Sequence, residues 1–425
     1  MLEISAPKGV RDILPDEYWK WNYVLDVFGR TAIDFGYSGI HLPVFEHTEL
    51  FARGIGDGTD VVDKEMYTFN DKGGRSITLR PEATASMVRS YLENKMTSLQ
   101  QPVKMWCAGP MFRYERPQKG RFGQFWQVDF ESIGSQSPFA DVETIALALE
   151  AFRRLGLSNL EVVINSVGCP ACRPAYIKKL TEYFAGRAGD LCETCRERLH
   201  KNPLRILDCK NEQCGKTADE APSGLDSLCG ECSAHFNAVR ASLDGMGAAY
   251  HLDKRLVRGL DYYTKTAYEI LSGALGAQNA VCGGGRYDNL AEVIGGPFVP
   301  AVGFAAGMDR IVMVMEGQGC SFGEAPGLDV YTVALDGPSR TPVFLLTDRL
   351  RKAGISADMD FNERSLKSQM KAASARKARF VCILGEEELA SGTVAVKNMS
   401  TGEQVQIPAD DAPGAVKRML SACEE

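Results

Sequence analysis

At 425 residues, 44% hydrophobic and 24% charged, the chain has the composition of a globular protein large enough for more than one core. Its formal charge of −7 excludes a protein that coats nucleic acid indiscriminately, while leaving room for a local basic patch. No basic leader is followed by an apolar core, and no run of about 18 apolar residues could span a bilayer, so a cytoplasmic protein with no membrane partner is expected.

In DEYWKWNYVLDVFGRTAIDFG (16–36), acids at the start and a face made of Trp19, Val24, Val27, Phe28 and Ala32 predict a helix that Gly36 stops. YSGIHLPVFE reads as a strand, which Pro43 confines to an edge or an interface. Short strands and glycine-marked turns run on to about 134, and a helix covers 138–156. A cysteine-rich block from about 166 to 240 reads as a mostly helical insertion. Strands return at 248–272 and 278–287, and an apolar helix covers 304–316. GQGCSFGEAPGL (317–328) has the composition of a linker. Beyond it, LDVYTVAL, a helix at 340–353, ISADMD, a basic helix at 365–379, RFVCILG and GTVAVKNM alternate as a small α/β unit.

Eight of the 13 cysteines fall between Cys169 and Cys232, as the pairs Cys169/Cys172, Cys192/Cys195, Cys209/Cys214 and Cys229/Cys232. In a reducing compartment such pairs suggest structural zinc more than disulfides, because a two-residue spacer lets both thiolates face one tetrahedral ion; free thiols are the alternative. The segment SLKSQMKAASARKAR (365–379) holds five basic residues and no acid, which suits either a solvated face or a surface that meets phosphate.

Chemistry concentrates in MFRYERPQKGRFGQFWQVDFE (111–131). A strand-loop-strand here can hold a nucleotide, with rings stacked on a base, Glu115 accepting from an exocyclic amine, and arginines forked onto phosphate oxygens. In GFAAGMDRIVMVM (303–315), small residues opening a helix allow close approach, and Arg310 near its start could meet a phosphate.

LPVFEHTELF (42–51), FRYE (112–115) with RFGQF (121–125), and GFAAGMDR (303–310) together resemble, in order and character, the three motifs of class II aminoacyl-tRNA synthetases. LVRGLDYYTKTAYE (256–269), VCGGGRYDNL (281–290), PKGVRDILP (7–15) and NPLRILDCK (202–210) narrow the resemblance to histidyl-tRNA synthetases, over essentially the whole chain. It implies an α/β (α+β) architecture: an antiparallel sheet flanked by helices, a helical insertion and a C-terminal α/β anticodon-binding domain. The implied divisions are a catalytic domain in two parts, 1–165 and 241–320, the insertion at 166–240 and the anticodon-binding domain at 328–425.

The resemblance also implies the activity: ATP and L-histidine form histidyl-adenylate, and histidine passes to tRNA(His), with Mg²⁺ assisting and a homodimer as the working form. For ATP it implies Arg113 at the α-phosphate, Glu115 at the adenine amine, Phe125 on the adenine face, and Arg121 with Arg310 at the outer phosphates. For histidine it implies Glu82, Thr84 and Gln127 at the α-ammonium, Glu131 and Tyr263 at the two ring nitrogens, and Tyr262 and Tyr287 lining the pocket. Arg258, with Arg113, would stabilise charge on the α-phosphate as the carboxylate attacks. The alternative is the catalytically silent paralogue that regulates ATP phosphoribosyltransferase, which lacks the anticodon-binding domain and degrades the motifs. The chain departs from the family pattern at Ala83, where glycine is usual, and at Gly123, where a basic residue is frequent.

Overall fold

Pro15 and the acids Asp16 and Glu17 start α1 (Pro15–Asp34), since proline's fixed φ and negative charge both suit a helix N-terminus. Its buried stripe is Trp21, Val24, Phe28, Thr31 and Ala32. Trp21, not Trp19, is thus the deeply buried indole; Trp19 and Val27 flank the stripe half-buried. The computed structural model describes residues 4–56, 59–115, 120–275 and 279–422.

The described chain forms two units, Met1–Gly323 and Glu324–Glu425. In the first, α1 is followed by β1 (Ser38–Gly39), β2 (Phe45–His47), α2 (Thr48–Ile55), β3 (Thr68–Asn70), β4 (Ser76–Leu79) and α3 (Thr84–Glu93). The hairpin β5 (Val103–Phe112) and β6 (Gln124–Ile133) then leads through α4 (Pro138–Arg154) to β7 (Leu160–Ser166). Four helices come next, α5 (Arg173–Ala185), α6 (Glu193–Lys201), α7 (Glu212–Asp219) and α8 (Gly230–Gly245). The unit closes with β8 (Tyr250–Leu252), β9 (Thr264–Ser272), β10 (Ala280–Arg286), α9 (Leu290–Val293), β11 (Ala301–Gly307) and α10 (Met308–Gln318).

The central sheet has the order β1-β5-β6-β11-β10-β9-β7-β8, antiparallel except for the outer pairs β1/β5 and β7/β8. Strand alternation divides β6 between two faces. Phe125, Gln127, Asp129 and Glu131 point one way, and Trp126, Val128 and Phe130 pack on α1, α4 and α10. Trp106, Phe130 and Phe304 stack across three neighbouring strands, with centroids 5.6 and 5.0 Å apart, and so tie the register of β5, β6 and β11. A smaller sheet has the order β2-β4-β3.

Three predicted elements differ. GFAAG (303–307) is not the start of a helix but part of β11, in the middle of the sheet, and α10 begins only at Met308. Its small side chains make room inside the sheet: a Cβ on Gly303 would overlap the Glu131 carboxylate. Between 253 and 263 the expected strand is a loop, fixed by Asn165, whose Nδ2 donates to the Leu256 carbonyl at 2.9 Å. Finally, α2 and α3 occupy a region read as strands and turns. Seven of the ten α3 residues are buried, polar Thr84, Ser86 and Ser90 among them.

The second unit contains β12 (Val330–Ala334), α11 (Arg340–Lys352), β13 (Ala357–Met359), α12 (Leu366–Ala375), β14 (Phe380–Leu384), α13 (Glu386–Ser391), β15 (Thr393–Asn398), β16 (Gln404–Pro408) and α14 (Ala412–Ala422). Its sheet order is β13-β12-β14-β15-β16, parallel across the first three strands. The basic helix is shorter than its charge run: Arg376 and Arg379 lie beyond it and pair with Asp358 and Asp329 at 3.1 and 3.8 Å. Lys367, Lys371 and Lys377 are exposed.

Candidate active site

The inner face of β6 is the floor of a cleft, and β9, β10, β11, the 256–263 loop and the start of α3 form its walls. All 13 predicted site residues line this one cleft: Glu82, Thr84, Arg113, Glu115, Arg121, Phe125, Gln127, Glu131, Arg258, Tyr262, Tyr263, Tyr287 and Arg310. Six of them belong to the segment 111–131, and the other seven come from 82–84, 258–263, 287 and 310.

One end is rich in buried acceptors. Glu82 takes the N–H groups of Thr84 and Ala85 at 2.8 and 2.9 Å, capping α3, and Tyr262 lies 3.5 Å from the same carboxylate. Burial raises the Glu82 pKa, against the lowering effect of these N–H bonds. Ala83 sits fully buried at φ −102°, so this departure from glycine strains nothing. Glu131 accepts from Thr84 Oγ1 at 2.7 Å and from the Tyr287 hydroxyl. Burial pushes its carboxyl well above the carboxylate range.

Asp129 was missed as a site residue, although it stands in the same alternation. Its side chain is fully buried, lines the cleft, and has no partner on either carboxyl oxygen among the described residues. The Gln127 Oε1 beside it is likewise unpartnered. Burial, then the Glu82 charge, pushes the Asp129 carboxyl far up. An orphaned buried carboxylate is costly, so the pair is suited to receiving hydrogen-bond donors, above all a cation. The available signal was its spacing, two residues from Gln127 and two from Glu131.

The other end is cationic. Arg113 is held by its Nε donating to the Pro81 carbonyl at 2.9 Å, with its guanidinium 5.4 Å from the Phe125 ring centroid. Arg310 donates to the Ala280 carbonyl at 2.6 Å. Burial, then the neighbouring Arg121 charge, lowers its pKa, as expected of cations gathered without enough anions. Arg121 and Glu115, expected at opposite ends of ATP, instead touch each other at 2.6 Å. Arg258 is ion-paired with Glu269, and its guanidinium lies 5.5 Å from the Tyr263 centroid. Burial works against the Arg258 charge, but the Glu269 carboxylate together with the Tyr263 and Tyr262 hydroxyls outweighs it and raises the guanidinium pKa.

The glycines of 283–285 are strand residues in the centre of the sheet. A Cβ on Gly283 would stand 2.6 Å from Arg258 Cζ, and one on Gly284 2.6 Å from the Tyr268 ring. Arg286, next in line, is fully buried away from the cleft: it donates to Asp141 at 3.0 Å, Asp288 at 3.0 Å and two serine carbonyls. The loop segment 116–119, including Lys119, lies outside the described residues.

A largely antiparallel sheet whose motif-bearing strands gather arginines and an aromatic ring at one end, and buried acceptors at the other, defines a class II aminoacyl-tRNA synthetase. The family model described as "Histidyl-tRNA synthetase" matches residues 9–311, and that described as "Anticodon binding domain" matches 343–419. The chain is 50% identical over 403 residues to the histidine–tRNA ligase of Desulforamulus reducens, covering 95% of this chain and 96% of that protein. It is 50% identical over 406 residues to that of Pelotomaculum thermopropionicum, covering 96% of each. The crystal structure of apo Staphylococcus aureus histidyl-tRNA synthetase superimposes with a TM-score of 0.82 at 37% identity, covering 97% of this chain and 100% of that one. The chain belongs to the histidyl-tRNA synthetase family, ATP-dependent ligases.

Proposed function

We propose that the cleft activates L-histidine with ATP and that the protein transfers histidine to tRNA(His) in the cytoplasm. The observation that carries this is the division of one cleft into an acceptor-rich end, organised around Glu131, and an arginine-rich end. Glu131, aimed by Thr84 and Tyr287, takes one imidazole N–H, and the Tyr263 hydroxyl meets the other nitrogen. An apolar isostere would leave these buried groups unpaired, which supports discrimination of about 10⁴–10⁵ without editing. Glu82 and Gln127 receive the α-ammonium, joined by Asp129, while Tyr262 packs beside the ring.

ATP binds with adenine on Phe125 and its amine at Glu115, and with its outer phosphates on Arg121 and Arg310. Arg121 exchanges Glu115 for phosphate when ATP enters. The histidine carboxylate then attacks the α-phosphorus, and the bond to the bridging oxygen breaks to release pyrophosphate. Arg113 and Arg258 stabilise the charge gathering on the α-phosphate oxygens. In the second step the ribose hydroxyl at the tRNA 3′ end attacks the acyl carbon, and AMP departs. Glu269, which lines the cleft beside Arg258, would offer a hard oxygen ligand to Mg²⁺, an ion that is commonly held by one or two carboxylates together with substrate phosphates and would offset phosphate charge.

The proposed domain roles are catalysis in 1–165 and 241–320, a helical insertion at 166–240, and anticodon binding by 328–425, where exposed Lys367, Lys371 and Lys377 suit phosphate contacts. A homodimer is supported by exposed Val44 and Phe45 around the edge strand β2, with Phe69 on the same small sheet. The regulatory alternative is disfavoured by the anticodon-domain match and by Arg113 and Arg258 both lining the cleft. The ATP phosphoribosyltransferase regulatory subunit/histidyl-tRNA synthetase of Bacillus halodurans is only 22% identical and shares the fold alone. ATP–pyrophosphate exchange across a panel of amino acids tests the assignment: exchange with histidine only is expected, and none, or exchange with another amino acid, would overturn it.

A further inference from the structure

The eight clustered cysteines gather in the fold as two quartets, each joining separate stretches of chain. One combines Cys169 and Cys172, in the loop after β7, with Cys229 and Cys232, at the start of α8. The other combines Cys192 and Cys195, at the start of α6, with Cys209 and with Cys214, in the first turn of α7. Within each quartet all four sulfurs lie within 4.8 Å of one another.

We propose that the protein holds two structural Zn²⁺ ions, one in each cysteine quartet. A tetrahedral ion with Zn–S bonds of about 2.3 Å sets its sulfurs about 3.8 Å apart. The sulfur pairs Cys169/Cys172, Cys169/Cys229 and Cys172/Cys232 are 3.7, 3.9 and 3.8 Å apart, and Cys192/Cys209 are 3.9 Å apart. These cysteines are free rather than disulfide-bonded. Thiolates sharing one ion also need donors on sulfur, and backbone N–H groups supply them: Cys169 to Cys172 Sγ at 3.2 Å, and Cys192 to Cys214 Sγ at 3.1 Å. Gly168 belongs to the first site as well, because at φ +69° it turns the chain where a Cβ would press on Cys172 Sγ at 2.7 Å.

Sulfur-only tetrahedral sites suit zinc or iron–sulfur chemistry. A multi-iron cluster spreads its thiolates around several metal atoms, whereas these separations match the edges of a tetrahedron around one. With four ligands supplied by protein, each site is closed to substrate and therefore structural.

The first site clasps the two ends of the helical segment. It also grips the strand that begins beside the proposed histidine pocket. Arg173, next to Cys172, donates to the Tyr263 carbonyl; Glu231, between Cys229 and Cys232, pairs with Lys265 at 2.9 Å; and the Lys265 N–H donates to the Gly168 carbonyl at 2.8 Å. The second site frames a turn whose Arg205 donates to the Arg258 carbonyl at 3.2 Å.

Elemental analysis of tag-free full-length protein, purified under reducing conditions without chelator, tests this independently of activity. Two zinc per chain are expected, falling to one in Cys229→Ser and one in Cys209→Ser. Zero or one in the parent protein, iron in place of zinc, or two retained in either variant would overturn the proposal. Because a variant can fail to fold, the parent protein is also refolded metal-free and titrated with Co²⁺. Absorption from tetrahedral thiolate-bound cobalt should saturate at two equivalents, and saturation at any other value, or no such absorption, would overturn it.

Discussion

Gly283→Ala should disable the enzyme through a residue 25 positions away, and the size of the effect can be worked out. Gly283 lies in β10, opposite Glu269 on β9 and Ala305 on β11. A Cβ there would stand 2.6 Å from Arg258 Cζ and closer to both terminal nitrogens, and no backbone atom is among its three nearest neighbours. Ordinary contact needs about 3.5 Å, so the guanidinium must retreat by roughly 1 Å from the place where it pairs with Glu269. The strand itself accepts alanine, so the cost falls on Arg258. Misplacement by this amount costs about a hundredfold in rate, or about 2.7 kcal/mol. Histidine-dependent ATP–pyrophosphate exchange reads the loss, and an unchanged thermal midpoint separates it from unfolding. Arg258→Ala should lose about 10²–10³-fold by itself, as expected for removal of one preorganised charge donor. Adding Gly283→Ala to that background should then do nothing. Exchange within threefold of the parent enzyme in Gly283→Ala, or a further hundredfold loss in the double variant, would refute the reasoning.

Asp129→Ala should raise the KM for histidine by about ten- to a hundredfold and leave that for ATP unchanged, since one charge-assisted hydrogen bond is worth about 1.5–3 kcal/mol; steady-state exchange kinetics check this. Arg286→Ala should destabilise by about 3–5 kcal/mol, because it takes the guanidinium from buried Asp141 and Asp288 and leaves them His235 and Lys265 as partners, and urea unfolding measures it. Burial alone would raise the Asp141 pKa, but His235 and Arg286 hold it below its ordinary 3.8. Its contribution should therefore be complete above about pH 4 and fade as pH falls through the lower folded value, a loss that should be smaller on the acid limb of the Arg286→Ala stability profile. Histidine tRNAs commonly carry an extra 5′ guanosine, and Gly123, pressed within 3.1 Å of the Tyr67 hydroxyl if given a Cβ, offers no basic side chain to read it. Charging of a transcript lacking that nucleotide should fall by much less than a hundredfold, the loss expected if a contact of about 1–3 kcal/mol were missing at its upper range.

Features that depend on local chemistry were legible in the sequence. The two-residue alternation of Phe125, Gln127 and Glu131 showed which side chains share a face, and the arginines around it pointed to phosphate. Spacing carried less where neighbours come from elsewhere. GFAAG looked like a close-packed helix start because nothing local shows that Glu131, 172 positions earlier, needs the volume above Gly303. Asp129 could be seen in the alternation, but its lack of partners is a property of the folded cleft. The cysteine pairs were legible as pairs, whereas the joining of Cys169/Cys172 with Cys229/Cys232 rather than Cys192/Cys195 is set by where β7 and α8 lie.

The central claim is that this cleft charges tRNA with histidine. Attachment of radiolabelled histidine to a tRNA(His) transcript, with and without ATP and beside a non-cognate transcript, tests it most directly. ATP-dependent charging of tRNA(His), at least a thousandfold faster than of the other transcript, equivalent to about 4 kcal/mol, is the result predicted. Failure to charge tRNA(His) by folded protein in the presence of ATP and Mg²⁺, or equal charging of both transcripts, would contradict it.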